Sequence, residues 1–135
     1  LNPDFAKRDW LTYFQFSGHF FAERFDEATK AANSTNSEWE KNWQLALVDA
    51  RLGKKHLGSV WLEGIDAKAT EIPDVTYSYV SLQAFLGNFD EAMAGLKVMR
   101  AQRAPWLVAT RVDPYFAPLR KLPAFSDFVK QLGLA

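Results

Sequence analysis

The segment SLQAFLGNFDEAMAGL, Ser81 to Leu96, places a glycine between two apolar runs with helical spacing. Gly87 ends the first run, because glycine adopts the left-handed backbone conformation that closes a helix without a steric penalty. The aromatic Phe89 follows at the junction, and the small Ala92 lets the second helix lie close to the first. The segment therefore predicts a helical hairpin.

The same arrangement recurs upstream. The stretch ARLGKKHLGSVWL contains Gly53 and, five residues later, Gly58. Each lies 34 residues before its counterpart, Gly87 or Ala92. A helix–turn–helix unit recurring near 34 residues is typical of tetratricopeptide repeats, whose hairpins stack because none can bury its apolar face alone.

The first unit keeps only part of this pattern. In AERFDEATKAA, Phe25 and Ala28 align with the aromatic and the small residue of the third unit. Glu23, however, stands where a glycine is expected, and the second unit has Lys55 at the aromatic position. We still predict three hairpins, since Ala28 precedes Gly58 by 30 residues, close to the 34-residue interval of the other two units.

Capping signals bound the predicted helices. They are Asn2 with Pro3, the capping box Ser37–Glu40, Pro73–Asp74 with Gly87, Asn88 with Glu91, Asp113 with Pro114, and Pro123 with Gly133. No segment shows the sustained alternation of polar and apolar residues that is typical of strands. We predict one all-α domain over 1–135, an α–α superhelix of the tetratricopeptide type. Its units are 3–36, 37–72 and 73–104, and a helical cap of two or three short helices covers 105–135.

Composition excludes several function classes. The 135 residues are 48% hydrophobic and 15% aromatic, as in a folded domain, and 16 basic residues balance 16 acidic ones. Zero net charge argues against nucleic-acid binding by this domain, and no apolar run approaches a membrane span. The absence of cysteine excludes a disulfide framework, a thiol nucleophile and sulfur-ligated zinc.

The stretch from Tyr77 to Leu134 resembles the C-terminal end of tetratricopeptide-repeat proteins of bacterial signalling systems, a tail that often follows winged-helix regulator, nucleotide-cyclase or protein-kinase domains. The motifs that carry the resemblance are AFLGNFDEAMAGL and RAPWLVATRVDPYFAPLRKLPAFSDFVKQLGL. They cover less than half of the chain, and Leu122 departs from the acidic residue usual before Pro123. The resemblance implies the end of an α-solenoid and carries over no catalytic residue.

No catalytic or metal-binding constellation is found. His19 and His56 are the only histidines, and any carboxylate at metal-ligand spacing is better explained as a helix cap. Short clusters of basic residues lie near predicted helix ends, where we expect their charges to be solvated. We expect Arg120 to pair with Asp113 or Asp127 and so to hold the cap. These absences predict a protein that is not an enzyme and has no cofactor.

A candidate groove follows from aligning the units. Tyr13, Trp43 and Tyr77 fall at equivalent positions on the first helix of each hairpin. One turn away lie Trp10 on one side and Leu47 and Ser81 on the other. These residues would form an apolar, partly polar concave trough for an extended or helical peptide. The alternative is that the same aromatics pack against neighbouring helices.

The N-terminal helix carries more aromatic residues than a capping helix needs. They are Trp10, Phe14, Phe16, Phe20, Phe21 and Phe25. Since a terminal repeat should have a polar outer face, this excess indicates an interface, either with further repeats or with a second copy in a homodimer.

The sequence thus predicts a non-catalytic scaffold that binds a protein or peptide and belongs to a larger bacterial protein. The alternative is a regulatory, sensory or dimerisation module fused to a winged-helix regulator or a nucleotide cyclase. We expect a cytoplasmic location, with the periplasm as the alternative, and no partner among nucleic acids or membranes.

Overall fold

The computed structural model describes residues 9–65 and 72–133, which form seven α-helices and two 3₁₀ helices without any strand. The α-helices are α1 (Trp10–Phe21), α2 (Phe25–Ser34), α3 (Glu38–Arg51), α4 (His56–Ile65), α5 (Pro73–Leu86), α6 (Phe89–Ala101) and α7 (Pro123–Gln131). The 3₁₀ helices, Pro105–Ala109 and Pro114–Leu119, lie between α6 and α7. The prediction of an all-α protein is confirmed. The helices group into two compact units, which divide after Asp66.

In the N-terminal unit, helices that are neighbours in sequence pack together: α1 on α2, α2 on α3, and α3 on α4. Small residues make this close packing feasible. Ala28 on α2 and Gly58 on α4 are buried at their helix contacts, as the alignment of small residues predicts. The largest buried side chains are Trp43, Phe16, Phe20 and Leu47.

In the C-terminal unit, α5 packs against α6 and against the second 3₁₀ helix. The contact between α5 and α6 depends on Gly95. A methyl group added there would lie 2.5 Å from Cγ2 of Val80, closer than carbon atoms can approach. Ala92, one turn earlier on α6, is fully buried. The core is completed by Leu82, Leu96, Met99, Phe116 and Leu119.

The bends between paired helices have one geometry. Gly53 and Gly87 both have φ of 82°, in the left-handed region. Each donates its N–H to the carbonyl three residues back, at 3.1 Å, and the next residue donates to the carbonyl five residues back. This bond pair is the Schellman motif. The prediction that these glycines form the bends of two helical hairpins is confirmed.

Two residues other than glycine adopt the same conformation. Glu23 ends α1 with φ of 60°, and Arg103 ends α6 with φ of 55°. Both make the same pair of hydrogen bonds as the glycines. Glu23 therefore takes the place of the missing glycine, and its carboxylate also pairs with Arg51 of α3. The Schellman turn forms here in spite of the steric penalty of a side chain.

Substituting Gly53 with alanine is expected to reduce the free energy of unfolding by about 1–2 kcal/mol, because the left-handed conformation is strained for any residue with a Cβ atom. The added methyl group meets nothing within 4 Å, so backbone strain is the whole effect. Gly64→Ala is the matched control, since Gly64 has equally open surroundings within α4. It should raise stability by about 0.5–1 kcal/mol. Urea unfolding followed by circular dichroism measures the free energy of unfolding of both variants. Equal changes in this free energy would contradict a left-handed bend at Gly53.

The predicted caps are realised unevenly. Asp113 caps the second 3₁₀ helix, because its carboxylate accepts a hydrogen bond from the N–H of Tyr115. Pro114 stands in the first turn of this helix. Ser37 and Asn88 occupy cap positions, but neither side chain bonds to its helix. The predicted capping box is therefore wrong, because Glu40 is buried in the packing and the Ser37 N–H bonds to the Thr35 hydroxyl. Asn88 donates instead to Gln83 of α5, at 2.7 Å.

The predicted cap at Asn2 and Pro3 lies outside the described residues, and α1 is capped by Asp9. One carboxylate oxygen accepts from the Thr12 N–H at 3.2 Å and the other from the Thr12 hydroxyl at 2.7 Å. The hydrogen bond from the Thr12 hydroxyl, followed by the one from the Thr12 N–H, lowers the pKa of Asp9. A lowered pKa means that the stabilisation is present above the unfolded-state pKa and is lost as pH falls through the folded-state value.

Asp9→Ala is therefore expected to cost about 1 kcal/mol of folding free energy at neutral pH, which is typical for loss of an N-cap. The difference from the wild type should shrink as the pH is lowered below about 4, where the wild-type carboxylate itself becomes protonated. Asp9→Asn, which keeps an accepting oxygen, should change stability little at neutral pH. Thermal unfolding at several pH values measures this, and a pH-independent difference between Asp9→Ala and the wild type would contradict it.

Candidate functional site

The structure places the residues of the predicted trough in different surroundings. Trp43, Leu47, Tyr77 and Ser81 are buried. Tyr13 is half-buried, and Trp10 is about half exposed. Four of the six therefore lie inside the protein, where they contribute to packing.

The two N-terminal aromatics and Trp43 are in contact within their unit. The rings of Tyr13 on α1 and Trp43 on α3 are nearly parallel, with 6.4 Å between centroids and an interplanar angle of 7°. Trp10 meets Tyr13 edge-on at 5.5 Å. Tyr13 and Trp43, which align in the sequence, therefore lie side by side on α1 and α3.

Tyr77 lies at the centre of the C-terminal unit. Its ring contacts Trp106, Tyr115 and Phe116, with centroids 5.3–6.1 Å apart. Its hydroxyl donates a 2.6 Å hydrogen bond to the carboxylate of Asp113. Tyr77 therefore joins α5 to both 3₁₀ helices of the cap.

Asp113 organises the cap through all three of its oxygen atoms. One carboxylate oxygen accepts from Tyr77 and the other from the Tyr115 N–H. The backbone carbonyl accepts from Arg120 at 2.8 Å. Arg120 does contact Asp113, but through a hydrogen bond to the backbone carbonyl and not through the carboxylate.

An apolar groove of ≈ 320 Å³ lies between α3 and α4. Its floor is formed by Trp39, Trp61 and Ile65, all buried, and its rim by the exposed Leu57 and Val60. This groove was not predicted, although the sequence carries a signal for it. The α4 residues that line it are Leu57, Val60, Trp61, Gly64 and Ile65, which follow the i, i+3, i+4, i+7, i+8 spacing of one helix face.

The groove has no charged lining residue, and its polar capacity is small. The indole N–H of Trp61 donates to the backbone carbonyl of Trp39 at 3.0 Å, so it is already satisfied. Asn42, which is exposed, is the one lining residue with a side-chain amide. Such a lining favours apolar side chains together with a single hydrogen bond.

A second concavity, of ≈ 350 Å³, lies in the C-terminal unit. Phe125 and Val129 of α7 form its floor, and Arg111, Arg120 and Lys130 lie around it. All three basic side chains are exposed, as expected of solvated charges near helix ends. The concavity is therefore shallow and open, and it lacks a buried polar group that would fix a ligand.

Neither histidine lines the groove between α3 and α4 or the second concavity. The Nδ1 atom of His19 accepts from Nε of Arg24 at 3.1 Å, and His56 begins α4. Within residues 9–65 and 72–133, no three His, Cys, Asp or Glu side chains are placed to hold a metal ion. None of the described helices has the length and apolar character needed to cross a bilayer.

Comparison with known proteins leaves this chain without an assigned family. No family model, curated protein or solved structure matches it significantly. The chain is a small all-helical protein whose helices pack as sequential pairs, and no family is identified.

Proposed function

We propose that the protein is a non-catalytic scaffold that binds a partner protein through the groove between α3 and α4. The observation that carries this proposal is the apolar groove with two tryptophans in its floor and two exposed aliphatic residues on its rim. Tryptophan is enriched at the centres of protein interfaces, where it offers a large apolar area. A helix presenting two or three apolar side chains along one face is the partner element that suits a groove between helices.

We further propose that the hairpins stack as a solenoid of the tetratricopeptide type. The 34-residue interval supports this, and so does the recurrence of one Schellman turn at Glu23, Gly53 and Gly87. A regulatory or dimerisation module of a larger bacterial protein is the second candidate, supported by the exposed aromatic face of α1.

The groove is tested by selecting peptides from a random display library against the 135-residue protein. We expect enriched peptides with apolar residues spaced three or four apart. Substituting Val60, which is 53% exposed, with aspartate should weaken their binding at least about tenfold, since a charge would be buried against apolar side chains. Leu57→Asp should act in the same way.

Leu52→Asp is the matched control. Leu52 is 52% exposed at the end of α3 and does not line the groove, so the peptides should bind this variant with wild-type affinity. Equal losses for Val60→Asp and Leu52→Asp, or peptides without apolar spacing, would contradict the proposed site. Circular dichroism of each variant confirms that the fold is retained.

A further inference from the structure

Helix α1 has an apolar face that is directed away from its own core. Phe16 and Phe20 are buried, and the Phe20 ring meets that of Phe25 on α2 edge-on. On the opposite side, Leu11 is 70% exposed and Phe14 is 65% exposed, and Gly18 is also exposed. Phe21 completes the strip, which has the i, i+3, i+7, i+10 spacing of a helix–helix seam. We call Leu11, Phe14, Gly18 and Phe21 the α1 seam.

The two central positions of this face are covered on the other first helices. The interval between units aligns Phe14 with Gln44 on α3 and Ser78 on α5, and both of these are fully buried. Gly18 aligns with Val48 and Leu82, which are also buried. Among the described first helices, α1 is the one on which all four positions of this face are exposed. The same face of α3 carries the charged Lys41 and Arg51 at its two ends.

We propose that the α1 seam pairs with the α1 seam of a second copy, in antiparallel orientation. The seam is self-complementary about its midpoint at residue 16. An antiparallel partner sets Phe14 of one copy against Gly18 of the other, and Leu11 against Phe21, on both sides of the symmetry axis. Gly18 has no atom within 4 Å of where a Cβ would stand, so it leaves a hole that the Phe14 ring can enter.

Charge supports a second copy as the occupant. From Trp10 to Phe21, α1 contains no Asp, Glu, Lys or Arg, so two copies brought together do not place like charges in contact. Antiparallel helices also oppose their macrodipoles favourably. A partner recognised through charge would instead need complementary charges on this face.

The exposed area limits how much surface the pair can bury. Trp10 and the seam residues leave on the order of 400 Å² exposed per copy, about half of the roughly 800 Å² per partner of a standard stable interface. We therefore expect a weak, reversible dimer, observable at high protein concentration.

Sedimentation velocity of the 135-residue protein from about 1 µM to 1 mM tests the proposal. The wild type should shift from monomer toward dimer across this range, and Phe14→Asp should weaken the association at least about tenfold. Val108→Asp, a substitution of an exposed valine in the C-terminal unit, should leave the association unchanged. The proposal is overturned if the wild type stays monomeric throughout, or if Phe14→Asp associates as strongly as the wild type.

Gly18→Leu separates a fitted seam from general stickiness. A Cβ at position 18 meets nothing within 4 Å, and leucine is a better helix former than glycine, so thermal stability should not fall. The leucine would fill the hole for Phe14 and should weaken the dimer. Stronger association of this variant would overturn the fitted geometry.

The orientation is tested by cross-linking, which the cysteine-free sequence makes clean. A mixture of Phe14→Cys and Gly18→Cys proteins under mild oxidation should yield chiefly the mixed disulfide between the two variants. Disulfides formed chiefly between two copies of the same variant would indicate a parallel pair and would overturn the antiparallel arrangement.

Discussion

Replacing Tyr77 with alanine is expected to lower the stability of the C-terminal unit by about 3–5 kcal/mol, as for other buried aromatic residues. The substitution removes ring contacts to Trp106, Tyr115 and Phe116 and leaves a cavity between α5 and the cap. It also removes the hydrogen bond from the Tyr77 hydroxyl to Asp113. Urea unfolding followed by circular dichroism measures the loss.

Tyr77→Phe is the matched variant, because it keeps the ring and removes the hydroxyl alone. Its cost should be about 1.5–3 kcal/mol, the range for a hydrogen bond to a charged group. Asp113→Ala removes that same bond and the cap of the second 3₁₀ helix, so it should cost more than Tyr77→Phe. If Tyr77→Ala cost less than Tyr77→Phe, or about the same, the central place of the ring in this unit would be contradicted.

Replacing Trp43 with alanine is expected to cost the N-terminal unit about 3–5 kcal/mol. Trp43 is the largest fully buried side chain, and it stacks on Tyr13 across the contact between α1 and α3. The matched control is Trp10→Ala, since Trp10 belongs to the same aromatic group but is about half exposed. Its cost should be about 1 kcal/mol, in proportion to the smaller area that it buries.

Equal losses for Trp43→Ala and Trp10→Ala would contradict this assignment. The difference also matters for binding experiments. Because Trp43 and Tyr77 are core residues, their alanine variants would lose a partner by losing the fold. The rim residues Leu57 and Val60 are the positions at which binding can be changed without this effect.

The sequence was most informative where a local backbone rule determines the structure. Gly53 and Gly87 mark bends because a left-handed residue favours glycine, and Pro73 and Pro123 begin helices as proline does. Glu23 shows the limit of such rules. The turn there forms without glycine, since the hydrogen bonds and packing of the hairpin outweigh the steric penalty.

The candidate site was harder to predict, because a helical pattern reveals apolar faces but not which face another element covers. Tyr77 has the position of a groove residue, yet the cap some thirty residues later covers it through Trp106 and Phe116. The stripe on α4 from Leu57 to Ile65 was visible as a pattern. Only the packing of α4 on α3 shows that part of this stripe stays open as a groove.

The central claim is that partner helices bind between α3 and α4, and the indole N–H resonances of the five tryptophans test it directly. In ¹H–¹⁵N spectra, addition of a selected apolar helical peptide should shift the signals of Trp39 and Trp61, which form the floor of the groove. The signal of Trp106, in the other unit, should remain in place. Shifts confined to Trp10 or Trp106, with Trp39 and Trp61 unchanged at saturation, would contradict the account.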